Sequence, residues 1–522
     1  MTRPVVLFVL IAALVLSVVP ATADTLDNIR DRGIITVGVK ADYGAWGSYN
    51  SSGAITGMEP DIAAHIADAL GVSPRLVPVT SANRLARLEQ GTVDLVIATM
   101  GATVERRKAA RLILPHYYAS GVRLLKRSNS PFAEWGQLRG RSICLVRGAY
   151  YNRHLSESLL IEPLTFSTLV DAKAALQDGR CAGLAYDDTA LAGMVAEPGW
   201  EDFEVAMPTI NGTPWAMAVA RGAESRQLAR RIGDLVAAWH ADGTLLSIEE
   251  RWLGTTSPFL EEMQTLWSRE ASDGMVCRRG PEGAFPEDCL ISTIARSGRQ
   301  ISTPDWVGAV DAATGLDVTV FFDPYNRSRL LTGLANTVAI SITAILGACF
   351  FGIGMAALLL RTASGPAILA PIDAAARGIV ALAQLTPPIL QIYILFFGLT
   401  AWLHDRTGVQ PGAFAIASLV FSAYAGATIA VLLRAEVRQN PDIGLIRAFL
   451  GSYDGIVATL VNIVKAAGMA SAVAYFDMIT ATTDLVGEGA DKALMMNLLL
   501  GFYLVFVMII MAFFEALRRW LE

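Results

Sequence analysis

An α/β domain outside the cytoplasm, followed by an all-α membrane domain of about five transmembrane helices, is the fold class that this sequence predicts. Three observations predict it. A short apolar leader opens the 522-residue chain, residues 25–254 alternate β-rich runs with amphipathic helical segments, and long apolar runs dominate from Leu330 onward. Repeated runs of about 20 apolar residues belong to bilayer-spanning helices, because lipid offers the backbone no hydrogen-bond partner. A polar half joined to a membrane half suits capture on one side of a membrane and delivery into or across it.

The elements follow in chain order. Arg3, the apolar stretch Val5 to Val19 and the small residues Ala21-Thr22-Ala23 read as a signal peptide, residues 1–23, cleaved before Asp24. Ile34-Ile35-Thr36-Val37-Gly38-Val39 predicts a strand. Asp61 to Leu70 carries Ile62, Ile66 and Leu70 at helical spacing, and Gly71 stops that helix. Val93 to Ala98 and Ile143 to Val146 read as further buried strands. Strand and helix in alternation mean an α/β sheet whose ligands sit beyond the strand ends. From Thr255 to Arg329 the pattern dissolves into Pro, Gly, Ser and charged residues, which predicts a linker. The membrane half, 330–522, holds apolar spans near 331–360, 378–400, 413–433, 455–480 and 494–517.

Charge supports one orientation. With the first half exported, the cytoplasmic stretches hold Arg361, Arg377, Arg434, Arg438, Arg447, Arg518 and Arg519, while the outer loops hold Arg406 and Lys492. That asymmetry follows the positive-inside rule and puts the C-terminus in the cytoplasm. A net charge of -6 gives no basis for nucleic-acid binding. Four of the five cysteines fall in the exported part, where three pairings are open. The local pairing Cys144–Cys181 with Cys277–Cys289 is the expectation, buried thiols being the alternative for Cys144 and Cys181. His65, His116, His154, His240 and His404 are scattered, so neither a metal nor a cofactor is expected. No Ser/His/Asp or paired-carboxylate site stands out, and no catalytic residue is assigned.

Several blocks in order carry a resemblance: Gly38-Val39-Lys40-Ala41-Asp42-Tyr43, Gly57-Met58-Glu59-Pro60-Asp61-Ile62, Gly91-Thr92-Val93-Asp94-Leu95, Thr103-Val104-Glu105-Arg106, Gly179-Arg180 through Asp187, Asp242-Gly243-Thr244 and Arg251-Trp252-Leu253-Gly254. Residues 24–254 resemble the periplasmic solute-binding proteins that capture polar amino acids, which implies two α/β lobes closing on a ligand at a hinge. An α-carboxylate in a cleft wants a bidentate guanidinium, and an α-ammonium wants a carboxylate. Arg106 stands where the family's carboxylate-binding arginine does, and Asp187 where its ammonium-binding aspartate does. Arg84, after Asn83, and Lys40 resemble bases of acidic-amino-acid binders, Lys40 being alternatively a solvated strand-end charge. Tyr43 and Trp46 resemble the aromatic wall over the ligand, with core packing as the alternative for Trp46. Thr99, Gly101 and Ala149 complete the ligand set. Gly101 and Ala149 replace the family's usual hydroxyl residues and leave only backbone N–H groups.

The membrane half resembles the permease subunits of polar amino acid ABC importers. Thr332-Gly333-Leu334-Ala335-Asn336-Thr337, Gln384-Leu385-Thr386-Pro387-Pro388-Ile389-Leu390-Gln391, Ser422-Ala423-Tyr424-Ala425-Gly426 and Leu517-Arg518-Arg519 carry the likeness. It departs at the cytoplasmic loop that docks into the ATPase, where Asn440-Pro441-Asp442-Ile443 to Leu450-Gly451-Ser452-Tyr453 lacks the acidic start and the Leu-Pro end. None of the six lysines precedes Ser or Thr, so the chain has no P-loop of its own. Lys465 falls inside an apolar span, with Asp477 as a conceivable partner. The expectation is a fused binding protein and permease of an inner-membrane amino acid importer, with Glu and Asp as candidate solutes, a separate ABC ATPase and a second permease copy. A membrane-tethered receptor without pumping is the alternative.

Overall fold

The computed structural model describes residues 24–271, 274–290 and 302–521. The signal peptide expected over 1–23 and part of the expected linker lie outside the described residues.

The N-terminal half is built on two five-stranded sheets. In chain order the strands are β1 (Ile34–Val39), β2 (Ser48–Tyr49), β3 (Ile55–Thr56), β4 (Ser73–Pro78), β5 (Leu95–Ile97), β6 (Arg111–Leu112), β7 (Tyr118–Arg127), β8 (Ser142–Val146), β9 (Glu162–Phe166), β10 (Gly183–Asp187), β11 (Phe203–Trp215) and β12 (Ala218–Val219). The first lobe has the order β4-β1-β5-β12-β6 and the second β11-β7-β10-β8-β9, with β2 and β3 forming a separate hairpin. β1 runs parallel to β4 and β5, and β10 runs parallel to β8. The chain therefore crosses between lobes twice, between β6 and β7 and again between β11 and β12. These two crossings form a hinge.

Local sequence explains the elements. Every β1 residue from Ile35 to Val39 is buried, as a strand covered on both faces requires. The helix Met58–Leu70 buries Ile62, Ile66 and Leu70, and ends on Gly71 in the left-handed region, at φ 73°. In the second lobe a disulfide joins Cys144 on β8 to Cys181 just before β10, with the Cα atoms 5.6 Å apart.

The stretch expected as a linker is partly folded onto the first lobe. Ser257 caps the helix Pro258–Trp267, and Pro258 occupies its first turn, where a missing N–H costs nothing. Met263 and Trp267 pack with Ala237, Phe285 and the disulfide Cys277–Cys289. Periodicity over so short a segment was hidden by its flanking Pro, Gly and Ser.

The membrane half has five helices long and apolar enough to cross a bilayer: Pro324–Ala363, Ala367–Leu385, Ala413–Gln439, Tyr453–Val473 and Lys492–Leu521. The first and third lie close along small residues. A Cβ on Gly426 would come within 2.8 Å of the Ala348 carbonyl, so only glycine allows this approach.

Two spans differ from expectation. The apolar stretch expected at 378–400 breaks at Thr386-Pro387, since proline pushes the preceding residue out of the helical region; it continues as Pro388–Tyr393, a π-helix Ile394–Leu399 and Thr400–Thr407. The stretch expected at 455–480 ends at Val473. Ala474 takes φ 60°, and Asp477 caps a separate helix, Met478–Glu488, by accepting from the Thr480 amide. That cap also corrects the pairing expected for Lys465, which is exposed on the fourth span while Asp477 is buried.

Candidate functional site

The site forms where the C-terminal ends of the strands in both lobes face each other. Asp187 is the last residue of β10 and is buried. Its Oδ2 accepts a hydrogen bond from the Tyr43 hydroxyl of the first lobe, and its Oδ1 is buried without a hydrogen-bond partner. Burial pushes the Asp187 carboxyl up to about 7, an effect that the Tyr43 bond opposes and neighbouring Asp188 reinforces.

Arg106 sits on the short helix Val104–Ala109, which Thr103 caps by accepting from the Arg106 amide. Its guanidinium donates to the Gly101 carbonyl at 2.8 Å and, across the seam, to the Gly148 carbonyl at 2.8 Å. Its Nε is buried without a hydrogen-bond partner. Burial and the nearby Arg84 charge hold this guanidinium below its usual range. The lobes are thus closed on each other, with Gly148 so near the first lobe that a Cβ there would lie 2.7 Å from the Ser81 carbonyl.

Lys40 and Arg84 are buried beside this pair, but both are engaged by the protein. Lys40 Nζ lies 3.0 Å from Asp42 Oδ1, within ion-pair range though out of hydrogen-bond alignment. Arg84 Nη1 donates to the carbonyls of Ala98 and Thr99, and its Nε has no hydrogen-bond partner. Two bases expected to meet a ligand's side-chain carboxylate thus each have a partner within the protein and a buried nitrogen without a hydrogen bond. Tyr43 tilts against Tyr186 and meets Trp215 edge-on, while Trp46 packs edge-on against Tyr118 and Trp215. Trp46 thereby belongs to the core behind the wall.

Thr99 adopts φ 45°, and its amide donates to Glu59 Oε1 at 2.6 Å and to the Tyr117 hydroxyl at 3.2 Å. Gly101 cannot carry the family's usual hydroxyl side chain, because a Cβ would fall 2.7 Å from Tyr150 Cδ1. Tyr150 occupies that space and donates to the Asn211 carbonyl at 2.7 Å. The Ala149 amide, expected to remain for a ligand, donates at 3.3 Å to the Val146 carbonyl.

Sequence reasoning did not single out Glu59, Tyr117 or Tyr150. Glu59 is fully buried, bonds to Tyr117, and is pushed up by burial to about 7. A carboxylate on the apolar face of Met58–Leu70, in line with Ala63 and Ile66, was the available signal. Among the described residues no group of His, Cys, Asp and Glu side chains is arranged to hold a metal ion.

Two α/β lobes hinged by paired crossovers, closed on a buried arginine and aspartate from opposite sides, define a two-lobed binding protein for a small polar solute. The chain belongs to the bacterial extracellular solute-binding proteins, family 3, whose match covers residues 35–255. It is 30% identical over 236 residues to the ABC transporter glutamine-binding protein of Bacillus subtilis, covering 44% of this chain and 85% of that one. It is 26% identical over 234 residues to the L-cystine-binding protein of Escherichia coli K12, covering 44% of this chain and 86% of that one. The crystal structure of a mutant ArgBP from T. maritima aligns at 24% identity with a TM-score of 0.41, over 44% of this chain and all of that one.

Proposed function

We propose that this protein captures a polar amino acid outside the cytoplasm and delivers it to its own membrane half, which acts as a permease subunit of an ABC importer. Delivery would need a separate ATPase and a second permease copy, since a pore at a two-fold interface takes two halves. The observation that carries the reading is the closed seam, to which the first lobe brings the buried Arg106, bonded across to Gly148, and the second brings the buried Asp187, bonded across to Tyr43. A guanidinium suits the α-carboxylate and a carboxylate suits the α-ammonium, the two groups every amino acid shares. The relatives named above as glutamine- and cystine-binding support an amino acid as the solute. The protein's role is then binding and transport rather than catalysis, with residues 24–254 as the capture unit, 255–329 as the connection and 330–522 as the permease.

The ligand class shifts from the acidic amino acids to an uncharged polar one. Lys40 has an ion-pair partner in Asp42, and Arg84 Nη1 donates to two carbonyls, which weakens both as sites for a second carboxylate. In the favoured orientation the solute-binding lobes lie in the periplasm and the C-terminus in the cytoplasm.

One observation favours the tethered receptor as a second reading. Where an ATPase-docking element is expected, the chain offers a single helix of seven residues, Leu445–Gly451. At 1.5 Å per residue that is roughly 10 Å of helix, about two turns. Co-purification with ATPase subunits encoded in the same genome, followed by ligand-stimulated hydrolysis and uptake in liposomes, separates the readings. Coupled uptake supports the importer. Intact ligand binding without ATPase contact supports the receptor.

A further inference from the structure

The helix Met478–Glu488, between the fourth and fifth spans, ends against the seam between the lobes. A Cβ on Gly487 would lie 3.1 Å from Ala82 Cα in the first lobe and 3.3 Å from Gly148 Cα in the second. A Cβ on Gly489, which has φ 112°, would lie 3.0 Å from the Glu105 carbonyl oxygen and 3.3 Å from the Arg106 amide nitrogen. Gly148 is also the residue whose carbonyl accepts from the Arg106 guanidinium. The tip of a membrane-half helix thus touches both lobes and the backbone of the arginine assigned to the ligand carboxylate.

A buried charge network holds the helix there. Asp484 is 3% exposed and pairs with Arg147 of the second lobe at 2.9 Å and with Arg329 at the start of the first span. Arg329 also pairs with Glu488 at 2.8 Å. Arg147 reaches Thr480 Oγ1 at 3.3 Å, and the second lobe's Arg153 grips Asp323, the cap of the first span. Removing one partner from such a network leaves an uncompensated buried charge, so the intact network stabilises the docked position.

We propose that the membrane half completes the amino-acid site: Gly487 and Gly489 are positioning residues that hold Gly148 and Arg106 in the closed arrangement. This rests on the amino-acid reading of Arg106 and Asp187 above. Gly487 can touch Ala82 and Gly148 together only while the lobes are shut. Docking of the helix and closure of the lobes therefore favour each other, and by linkage a ligand that favours closure favours docking equally. The segment between the last two spans then senses whether the pocket is loaded.

The test uses the full-length protein in detergent, in a Cys349→Ala background, since the other four cysteines are paired. Lys492 at the start of the fifth span pairs at 3.7 Å with Glu89 of the first lobe, so Glu89→Cys with Lys492→Cys places two thiols across the docked contact and leaves both glycines intact. The expected result is a cross-link by a short bis-maleimide whose rate rises several-fold with a binding amino acid, taken from a panel that includes glutamine. No cross-link, or one indifferent to every amino acid that binds, overturns the proposal. In parallel, Gly487→Val should raise the ligand's dissociation rate about tenfold while leaving association nearly unchanged. Asp484→Asn, which keeps the shape of the side chain, should act in the same direction, and unchanged dissociation in both variants also overturns it. A protein that binds no amino acid yet cross-links would remove the amino-acid reading and still support the helix contact across the seam.

Discussion

Lowering the pH from 8 to 5 should weaken amino-acid binding by the full-length protein about 100-fold. The perturbation acts on Asp187, whose carboxyl is pushed up to about 7 in the ligand-free site, first by burial and then by Asp188. An α-ammonium placed against it would hold it ionised, so the bound form loses its proton and takes a much lower pKa. Binding below pH 7 must then expel that proton, at about 1.4 kcal/mol, or tenfold in affinity, per pH unit. Roughly 90% of the site is ionised at pH 8 and about 1% at pH 5, which gives the two decades. The groups facing Asp187 are Tyr43, Asp188, Arg84 and Lys40. Glu59 is also raised to about 7, so Glu59→Gln is the control and should keep the slope. Calorimetry or intrinsic tryptophan fluorescence at half-unit steps measures it. A flat profile between pH 5 and 8, or an unchanged slope in an Asp187→Asn variant that still binds, refutes the reasoning.

Arg106→Ala should lose about 2–5 kcal/mol of affinity for every amino acid bound, and Lys40→Ala much less, because Lys40 is offset by Asp42; calorimetry ranks them. Arg84→Ala should weaken neutral and acidic ligands alike, as its bonds to Ala98 and Thr99 are structural; selective loss of acidic ligands would restore the acidic reading. Gly101→Thr should destabilise the two-lobed half by about 1–3 kcal/mol through overlap with Tyr150, read as a fall in denaturation midpoint. Replacing Cys277 and Cys289 by alanine should cost roughly 3 kcal/mol, and unreduced digests of the native protein should yield their linked peptide.

The two-lobed half is legible in the sequence because its signals are local. The apolar run of β1, the Ile62/Ile66/Leu70 stripe and the stop at Gly71 each need only a few neighbouring residues. Arg106 and Asp187 are assigned through the blocks around them, and the two hinge crossings bring their lobes together at one seam. What was not legible depends on long-range packing. Nothing near Gly101 announces that Tyr150, about 50 residues away, fills the space of the missing hydroxyl. The Lys40–Asp42 pair did have a signal, since residues two apart leaving a strand lie on one face. Hydropathy could not find the end of the fourth span, because Ala474-Tyr475-Phe476 continue the apolar run. What breaks it is the left-handed Ala474 and the Asp477 cap, and that break creates the helix that reaches the lobes.

The most direct measurement for the central claim is calorimetric titration of the full-length protein in detergent with the standard amino acids, near pH 8. The account predicts one saturable site for at least one polar amino acid, lost in both Arg106→Ala and Asp187→Ala. Silence across the whole panel, or binding that survives both substitutions, would contradict it.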